Sequence, residues 1–305
     1  MSMDRNKTVQ ENILRLKEGK NAVIIVHNYQ RSEIQDIADF VGDSLELSRK
    51  AAATNADVIV FCGVHFMAET AYILSPDKIV LLPDANSGCP MADMITAEQL
   101  RQKKQELPKA TVVTYVNSSA EVKAESDYCC TSANGVQVVS KIDNDEIIFV
   151  PDQYLGDYIQ RKTGKKMSLW PGYCPTHVRI TAEDIIKRKK EYPNARVVVH
   201  PECRPDVIDL ADEALSTSGI LRYAGREDVR ELIVGTETGM LHRLNKENPG
   251  KKFIPASEKA ICPNMKLITL EKVLESLETM TPRVTVSEEI SVRAKKAVDR
   301  MLEMV

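Results

Sequence analysis

Four threonines, Thr8, Thr96, Thr181 and Thr269, each open a helical pattern, and they stand 88, 85 and 88 residues apart. A glutamate follows each within three residues: Glu11, Glu98, Glu183 and Glu271. Threonine caps the exposed N–H groups of a first turn, and an early carboxylate suits the positive end of the helix dipole. A period of this length exceeds the roughly 20–50 residues of solenoid repeats, so each unit is domain-sized.

The same register runs through the rest of each unit. Helices over 8–20, 96–107 and 181–192 are followed by β-branched runs at 23–26, 111–114 and 197–199. Continuous apolar runs of this kind read as parallel strands buried on both faces. Each run ends in a polar-x-polar triplet: His27-Asn28-Tyr29, Tyr115-Val116-Asn117 and His200-Pro201-Glu202. A hydroxyl residue then opens a second helix, at Ser44, Ser132 and Thr217. A second strand follows (58–61, 147–150, 232–234), then a third helix and a short strand (79–82, 167–169, 253–254). The pattern predicts an α/β fold of three pseudo-threefold-related α/β/α domains, each with a small parallel sheet, around a central cavity. The expected boundaries are 1–95, 96–180 and 181–268, with a helical extension over 269–305 closing onto the first repeat.

The loop after each short strand carries a cysteine-proline pair: Cys89-Pro90, Cys174-Pro175 and Cys262-Pro263. Each lies seven residues before its threonine. If the repeats surround one axis, three thiolates converge, and three protein ligands leave one position on a metal centre open. A free cysteine is commonly only a small buried hydrophobe. That is the reading for Cys62, Cys129, Cys130 and Cys203, which do not recur. It fails for three cysteines held in register across diverged units. Three thiolates suit zinc or an iron–sulfur cluster. A zinc hydrolase more often sets histidine or carboxylate ligands beside cysteine, and the spacings here are very long, which favours the cluster, whose unligated iron is a Lewis acid.

Ligands of open parallel sheets bind beyond the carboxyl ends of the strands. The triplets, the hydroxyls and the Cys-Pro loops all follow strands, which gathers His27, Tyr29, Tyr115, Asn117, His200, Glu202, Ser44, Ser132 and Thr217 with the cysteines. His27, His200 and Glu202 are candidate acid–base groups. His177, three residues after Cys174, is expected at the cavity rim. Ser44, Ser132 and Thr217 are either plain helix caps or anion-binding groups at helix starts. No P-loop and no dinucleotide glycine fingerprint occurs in the sequence.

Composition closes off other classes. A net charge of −3 gives no reason to expect nucleic acid, and the basic run 187–190 lies among acidic residues as a solvated helix face. The start of the chain carries no long apolar run, which argues against a signal peptide or a membrane span. Seven cysteines, an odd number, in a chain long enough to need no staples point to a reducing cytoplasm.

The motif set resembles the quinolinate synthase family of NAD biosynthesis over nearly the whole chain. It comprises His27-Asn28-Tyr29-Gln30, the segment Asp36 to Ser44, Phe66-Met67-Ala68-Glu69, Cys89-Pro90-Met91-Ala92, Tyr115-Val116-Asn117-Ser118 and Thr131-Ser132-Ala133-Asn134. It continues through Cys174-Pro175-Thr176-His177, His200-Pro201-Glu202-Cys203, Ser216-Thr217, the segment Gly235 to Met240 and Cys262-Pro263-Asn264-Met265. The resemblance implies a [4Fe–4S] cluster on Cys89, Cys174 and Cys262, and condensation of iminoaspartate (iminosuccinate) with dihydroxyacetone phosphate to quinolinate, with loss of phosphate and water. It implies substrate contacts from His27, Ser44, Tyr115, Asn117, Ser132, His200, Glu202 and Thr217, and proton transfers by Tyr29 and Glu202. The additional redox-active cysteine pair that some family members carry near the third ligand is not seen here, since Ala260 and Ile261 precede Cys262. Because iminoaspartate is unstable, a partner that makes it from aspartate is expected. Two rival readings of the same residues are a zinc enzyme using these thiolates and a non-catalytic carboxylate- or phosphate-binding module.

Overall fold

The protein is described by a computed structural model covering residues 2–304. Met1 and Val305, the outer bounds of the expected first repeat and extension, lie outside the described residues. The first repeat runs α1 (Ser2–Gly19), β1 (Ala22–His27), α2 (Ser32–Asp36), β2 (Phe40–Gly42), α3 (Ser44–Ala53), β3 (Val58–Cys62), α4 (His65–Leu74) and β4 (Ile79–Leu81). The second runs α5 (Ala97–Glu106), β5 (Thr111–Tyr115), α6 (Ala120–Ala124), β6 (Tyr128–Cys130), α7 (Gly135–Lys141), β7 (Ile147–Val150), α8 (Gln153–Thr163) and β8 (Met167–Leu169). The third runs α9 (Ala182–Glu191), β9 (Arg196–Val199), α10 (Pro205–Ile208), β10 (Glu213–Ala214), α11 (Thr217–Ala224), β11 (Glu231–Gly235), α12 (Met240–Glu247) and β12 (Lys252–Pro255). Two helices follow, α13 (Leu270–Thr279) and α14 (Glu288–Glu303).

Each repeat forms its own four-stranded sheet, all parallel, with one topology: β2-β1-β3-β4, β6-β5-β7-β8 and β10-β9-β11-β12. The expected α/β class with three small parallel sheets is therefore present. The two central strands of each sheet are almost wholly buried, as their Val/Ile runs require. The sequence reading omitted the edge strands β2, β6 and β10 and the short helices before them. At two or three residues these strands are too short to carry a period.

A side-chain clasp explains how such short strands hold. Asp39, Asp127 and Asp212, again 88 and 85 residues apart, precede β2, β6 and β10. Each carboxylate accepts a backbone N–H of the neighbouring central strand, from Ile24 (2.8 Å), Val112 (2.8 Å) and Val197 (2.7 Å). Each aspartate's own N–H returns a hydrogen bond to the carbonyl of that same residue. The second edge strand β4 is covered differently, by residues 282–284 running antiparallel beside it.

The helix starts follow the capping chemistry closely. Thr96 and Thr181 cap α5 and α9 in reciprocal capping boxes with Gln99 and Asp184, and Thr269 caps α13. Thr8 does not begin a helix: α1 already runs from Ser2, because no glycine or proline interrupts residues 2–8. By packing, the chain divides into two compact units, Met1–Cys89 with Cys262–Val292 and Pro90–Ile261 with Arg293–Val305. Within the first, α13 packs along α1. Within the second, Arg293 and Arg300 of α14 bind the Glu125 carboxylate and the Asp127 carbonyl at the start of β6.

Candidate active site

In the second unit, the carboxyl ends of β5 and β9 bring their triplets together. The Tyr115 hydroxyl donates to Glu202 Oε1 at 2.6 Å, and the Asn117 amide reaches the same oxygen at 3.5 Å. Glu202 Oε2 lies 2.7 Å from His177 Nδ1. His177 comes from the one-turn helix His177–Arg179, three residues beyond Cys174, whose sulfur sits 3.1 Å from the same nitrogen. The other ring nitrogen, Nε2, meets the Thr236 hydroxyl at 2.9 Å.

His200 completes the group. Its ring stacks on that of His177, with centroids 4.7 Å apart. Its Nδ1 lies 3.4 Å from the backbone nitrogen of Glu202, and its Nε2 lies 3.1 Å from Ser132 Oγ. His27 repeats this arrangement at the end of β1 in the first unit: the Tyr29 N–H donates to its Nδ1 at 3.2 Å. The Tyr29 ring lies edge-on to His27 at 4.6 Å. A histidine followed two residues later by a backbone N–H that faces its Nδ1 is thus a local device that orients the ring at the strand end.

Glu202 is 3 % exposed. Burial alone would raise its pKa, but the charges of His177 and His200 and hydrogen bonds from His177 and Tyr115 outweigh it, holding the carboxyl well below the usual carboxylate range. Asp152 behaves oppositely. It caps α8 through Oδ1, is fully buried, and its Oδ2 has no hydrogen-bond partner. Burial, then the negative charge of Glu202, push its carboxyl well above the ordinary range. Their surroundings therefore push the two carboxyls in opposite directions, Glu202 toward the ionised form and Asp152 toward the protonated one.

The hydroxyls read from the sequence are not helix caps. Ser44 and Thr217 are the first residues of α3 and α11, but Asp43 and Ser216 do the capping. Ser132 sits three residues before α7 and bonds His200 instead. The plain capping reading of these three is thereby excluded.

The seven cysteines divide in the same way. Cys62, Cys129, Cys130 and Cys203 are fully buried. Burial pushes the thiol of Cys129 up to about 12 and those of the other three well up, which makes them inert. Cys89, Cys174 and Cys262 are partly exposed. Each precedes by three residues a one-turn helix, at Ala92–Met94, His177–Arg179 and Met265–Leu267. In the first unit, Asn264 ties two of these loops, donating to the Gly88 carbonyl at 2.7 Å and accepting from Ser87 Oγ at 3.2 Å. Lys266 reaches the Tyr29 carbonyl, and Arg31 binds the Lys266 carbonyl at 2.8 Å, docking the Cys262 turn on the loop after β1. Of the seven cysteines these three alone are partly exposed, and soft thiolates are the donors an iron–sulfur cluster takes.

Two residues of the site were missed in the sequence, Thr236 and Asp152. Both directly follow or nearly follow the second central strand of their sheets, β11 and β7, whereas the reading aligned only the ends of the first. The signal that could have found Thr236 was its place at a strand end inside a quoted motif.

A family model described as quinolinate synthetase A protein matches residues 11–303. The quinolinate synthase of Dehalococcoides mccartyi is 62% identical over 297 residues, 97% of this chain and 98% of that one. That of Methanoregula boonei is 58% identical over 302 residues, 99% of this chain and 100% of the other. That of Thermodesulfovibrio yellowstonii is 54% identical over 301 residues, covering 98% and 99%.

Proposed function

The chain belongs to the quinolinate synthetase A family, and from that premise we propose that it condenses iminoaspartate with dihydroxyacetone phosphate to give quinolinate. Atom balance requires one phosphate and two waters to leave as the pyridine ring closes, a transferase-type condensation with dehydration steps. The observation that carries this reading is the buried Glu202 carboxylate, held between Tyr115 and His177.

Ring closure needs protons removed from carbon and nitrogen and delivered to departing oxygens. Glu202 is ionised, so it accepts; Tyr115 is the donor already pointed at it. His177 stands 2.7 Å from the carboxylate to relay a proton, and Thr236 holds the ring from the other side. We assign His200 and Tyr29 the remaining proton transfers. His27, Ser44, Asn117, Ser132 and Thr217 contact substrate, with Tyr115, His177, His200 and Glu202. Ser132 and Thr217 suit an anionic phosphate or carboxylate, being hydroxyls released from capping.

We assign Cys89, Cys174 and Cys262 as the ligands of a [4Fe–4S] cluster. When bound, it supplies an iron with an open position that acts as a Lewis acid. The partly exposed state of these three thiols supports the assignment. The same reading takes the repeats as domains with bounds 1–95, 96–180 and 181–268 and an extension over 269–305. It places the enzyme in a reducing cytoplasm, supplied by a partner that forms iminoaspartate from aspartate. Among the described residues no helix is long and apolar enough to cross a membrane.

Anaerobic purification with iron and sulfide analysis, followed by an assay for quinolinate, tests the reading. Brown protein with four irons per chain that forms quinolinate, and that loses its iron on Cys174→Ala, is expected. Colourless protein carrying stoichiometric zinc after anaerobic reconstitution would overturn it.

A further inference from the structure

Cys174, His177 and Glu202 offer a thiol sulfur, an imidazole nitrogen and a carboxylate oxygen that all lie within 4.8 Å of one another. We propose that, in the chain free of its cluster, these three side chains bind a single divalent transition-metal ion of the zinc class, leaving a fourth position open. The site stands on residues of one compact unit, and its three ligand atoms are in place whether or not the chain also holds a cluster at other times.

Two sides of the ligand triangle are within several tenths of an ångström of what a tetrahedral ion needs, and the third, Cys174 sulfur to Glu202 oxygen, is no longer than 4.8 Å. With Zn–S near 2.3 Å and Zn–N or Zn–O near 2.0–2.1 Å, ligand atoms sit about 3.6 Å (S to N) and about 3.4 Å (N to O) apart. Here His177 Nδ1 is 3.1 Å from Cys174 Sγ and 2.7 Å from Glu202 Oε2. Opening the triangle by several tenths of an ångström admits the ion in place of the proton now shared there. The donor mix of one soft, one borderline and one hard atom suits zinc or cobalt over magnesium or calcium.

The outer contacts are those of a built metal site. A ligating histidine usually engages its second ring nitrogen in a hydrogen bond, and a ligating carboxylate is itself held. His177 Nε2 meets Thr236 Oγ1 at 2.9 Å, and the second oxygen of Glu202 takes the Tyr115 hydroxyl. His177 and Glu202 are nearly sealed from solvent, so neither ligand has to be drawn from a hydrated surface position. Because Cys174 serves only one centre at a time, an ion here also blocks cluster assembly; this consequence alone rests on the cluster reading.

Anaerobic titration of the metal-free full-length chain with cobalt(II) tests the site. One cobalt per chain is expected, with an intense thiolate-to-cobalt charge-transfer band in the near ultraviolet. Cys174→Ser should abolish the band, while Glu202→Gln and Thr236→Val should weaken binding about 10–100-fold. Circular dichroism melts report whether each variant is folded, and the Gln and Val variants serve if Cys174→Ser is not. Cys89→Ser and Cys262→Ser should leave the band intact. No band in the parent chain, its loss in Cys89→Ser or Cys262→Ser, or unchanged affinity in a folded Glu202→Gln variant would each overturn the proposal. Iron content measured without added cobalt reports on the cluster separately.

Discussion

Glu202 accepts the hydroxyl proton of Tyr115 at 2.6 Å across 87 residues of sequence, joining the ends of the first strands of two different sheets. The carboxylate has two oxygens and both are engaged, the second by His177. Replacing it with an amide keeps the shape and removes the charge. Glu202→Gln is expected to retain its iron while turnover falls by about 10²–10⁴-fold, the usual range for a positioned acid–base group. Tyr115→Phe removes only one donor and should cost less, about tenfold. Steady-state rates beside iron analysis check both, and near-normal turnover in Glu202→Gln would remove that residue from the chemistry.

Glu125 links the last helix to the second repeat. Its carboxylate takes hydrogen bonds from Arg293 of α14 at 2.7 Å and Arg101 of α5 at 2.9 Å, with Lys104 nearby. Burial raises its pKa, but these cations outweigh burial and the net direction is downward. A depressed carboxylate adds stability above its unfolded value, and that stability is lost as pH falls through the folded value. The arginines are nearly half exposed, which keeps the term small. Glu125→Gln should therefore destabilise by about 1 kcal/mol at pH 7 and by almost nothing near pH 3. Denaturant melts at the two pH values decide it, and an equal loss at both would mean that the charge is not the cause.

What could be read from the sequence follows from how strongly each feature is written there. The central strands were visible because Val197-Val198-Val199 and its counterparts are β-branched, apolar and repeated in register. Cys89, Cys174 and Cys262 stood out for the same reason. Asp39, Asp127 and Asp212 share that register, yet an aspartate before a two- or three-residue strand looks like an ordinary turn residue. Their hydrogen bonds to Ile24, Val112 and Val197 exist only once the sheet has formed. Asp43 hid behind Ser44 as a cap, since either residue suits that position. Thr236 meets His177 through a contact 59 residues long in sequence, which no local pattern records.

Asp152 tests the opposite sign of linkage. Its carboxyl is raised, by burial first and by Glu202 second, so folding takes up a proton. The folded state is then progressively penalised as pH rises above the ordinary aspartate value toward the raised one. Asn caps a helix as well as Asp does, so Asp152→Asn keeps the bonds to the Tyr154 and Leu155 N–H groups. It should raise the melting temperature at pH 8 by about 2–4 °C, for a gain of about 1 kcal/mol, and change it little at pH 4. Scanning calorimetry at both pH values checks the sign, and a drop at pH 8 contradicts an upward shift of the Asp152 carboxyl.

Gly172 lies two residues before Cys174, where the chain leaves a parallel bridge to Asp152. Its carbonyl accepts the Gln153 N–H at 2.9 Å. A Cβ added at Gly172 would stand 2.4 Å from the Pro151 carbonyl oxygen, a backbone atom that cannot rotate away, and 3.3 Å from Met94 Cβ. One strand end or the other must shift, and the Cys174 loop begins two residues later. Overpacking of this kind costs about 1–3 kcal/mol, and a backbone clash belongs at the upper end. Gly172→Ala should therefore lose stability by that amount and hold less iron after anaerobic reconstitution. Gly88→Ala, where an added Cβ meets nothing within 4 Å, should lose neither although it adjoins Cys89 directly. Denaturant unfolding and iron analysis of the two variants together separate a steric clash from mere closeness to a cysteine.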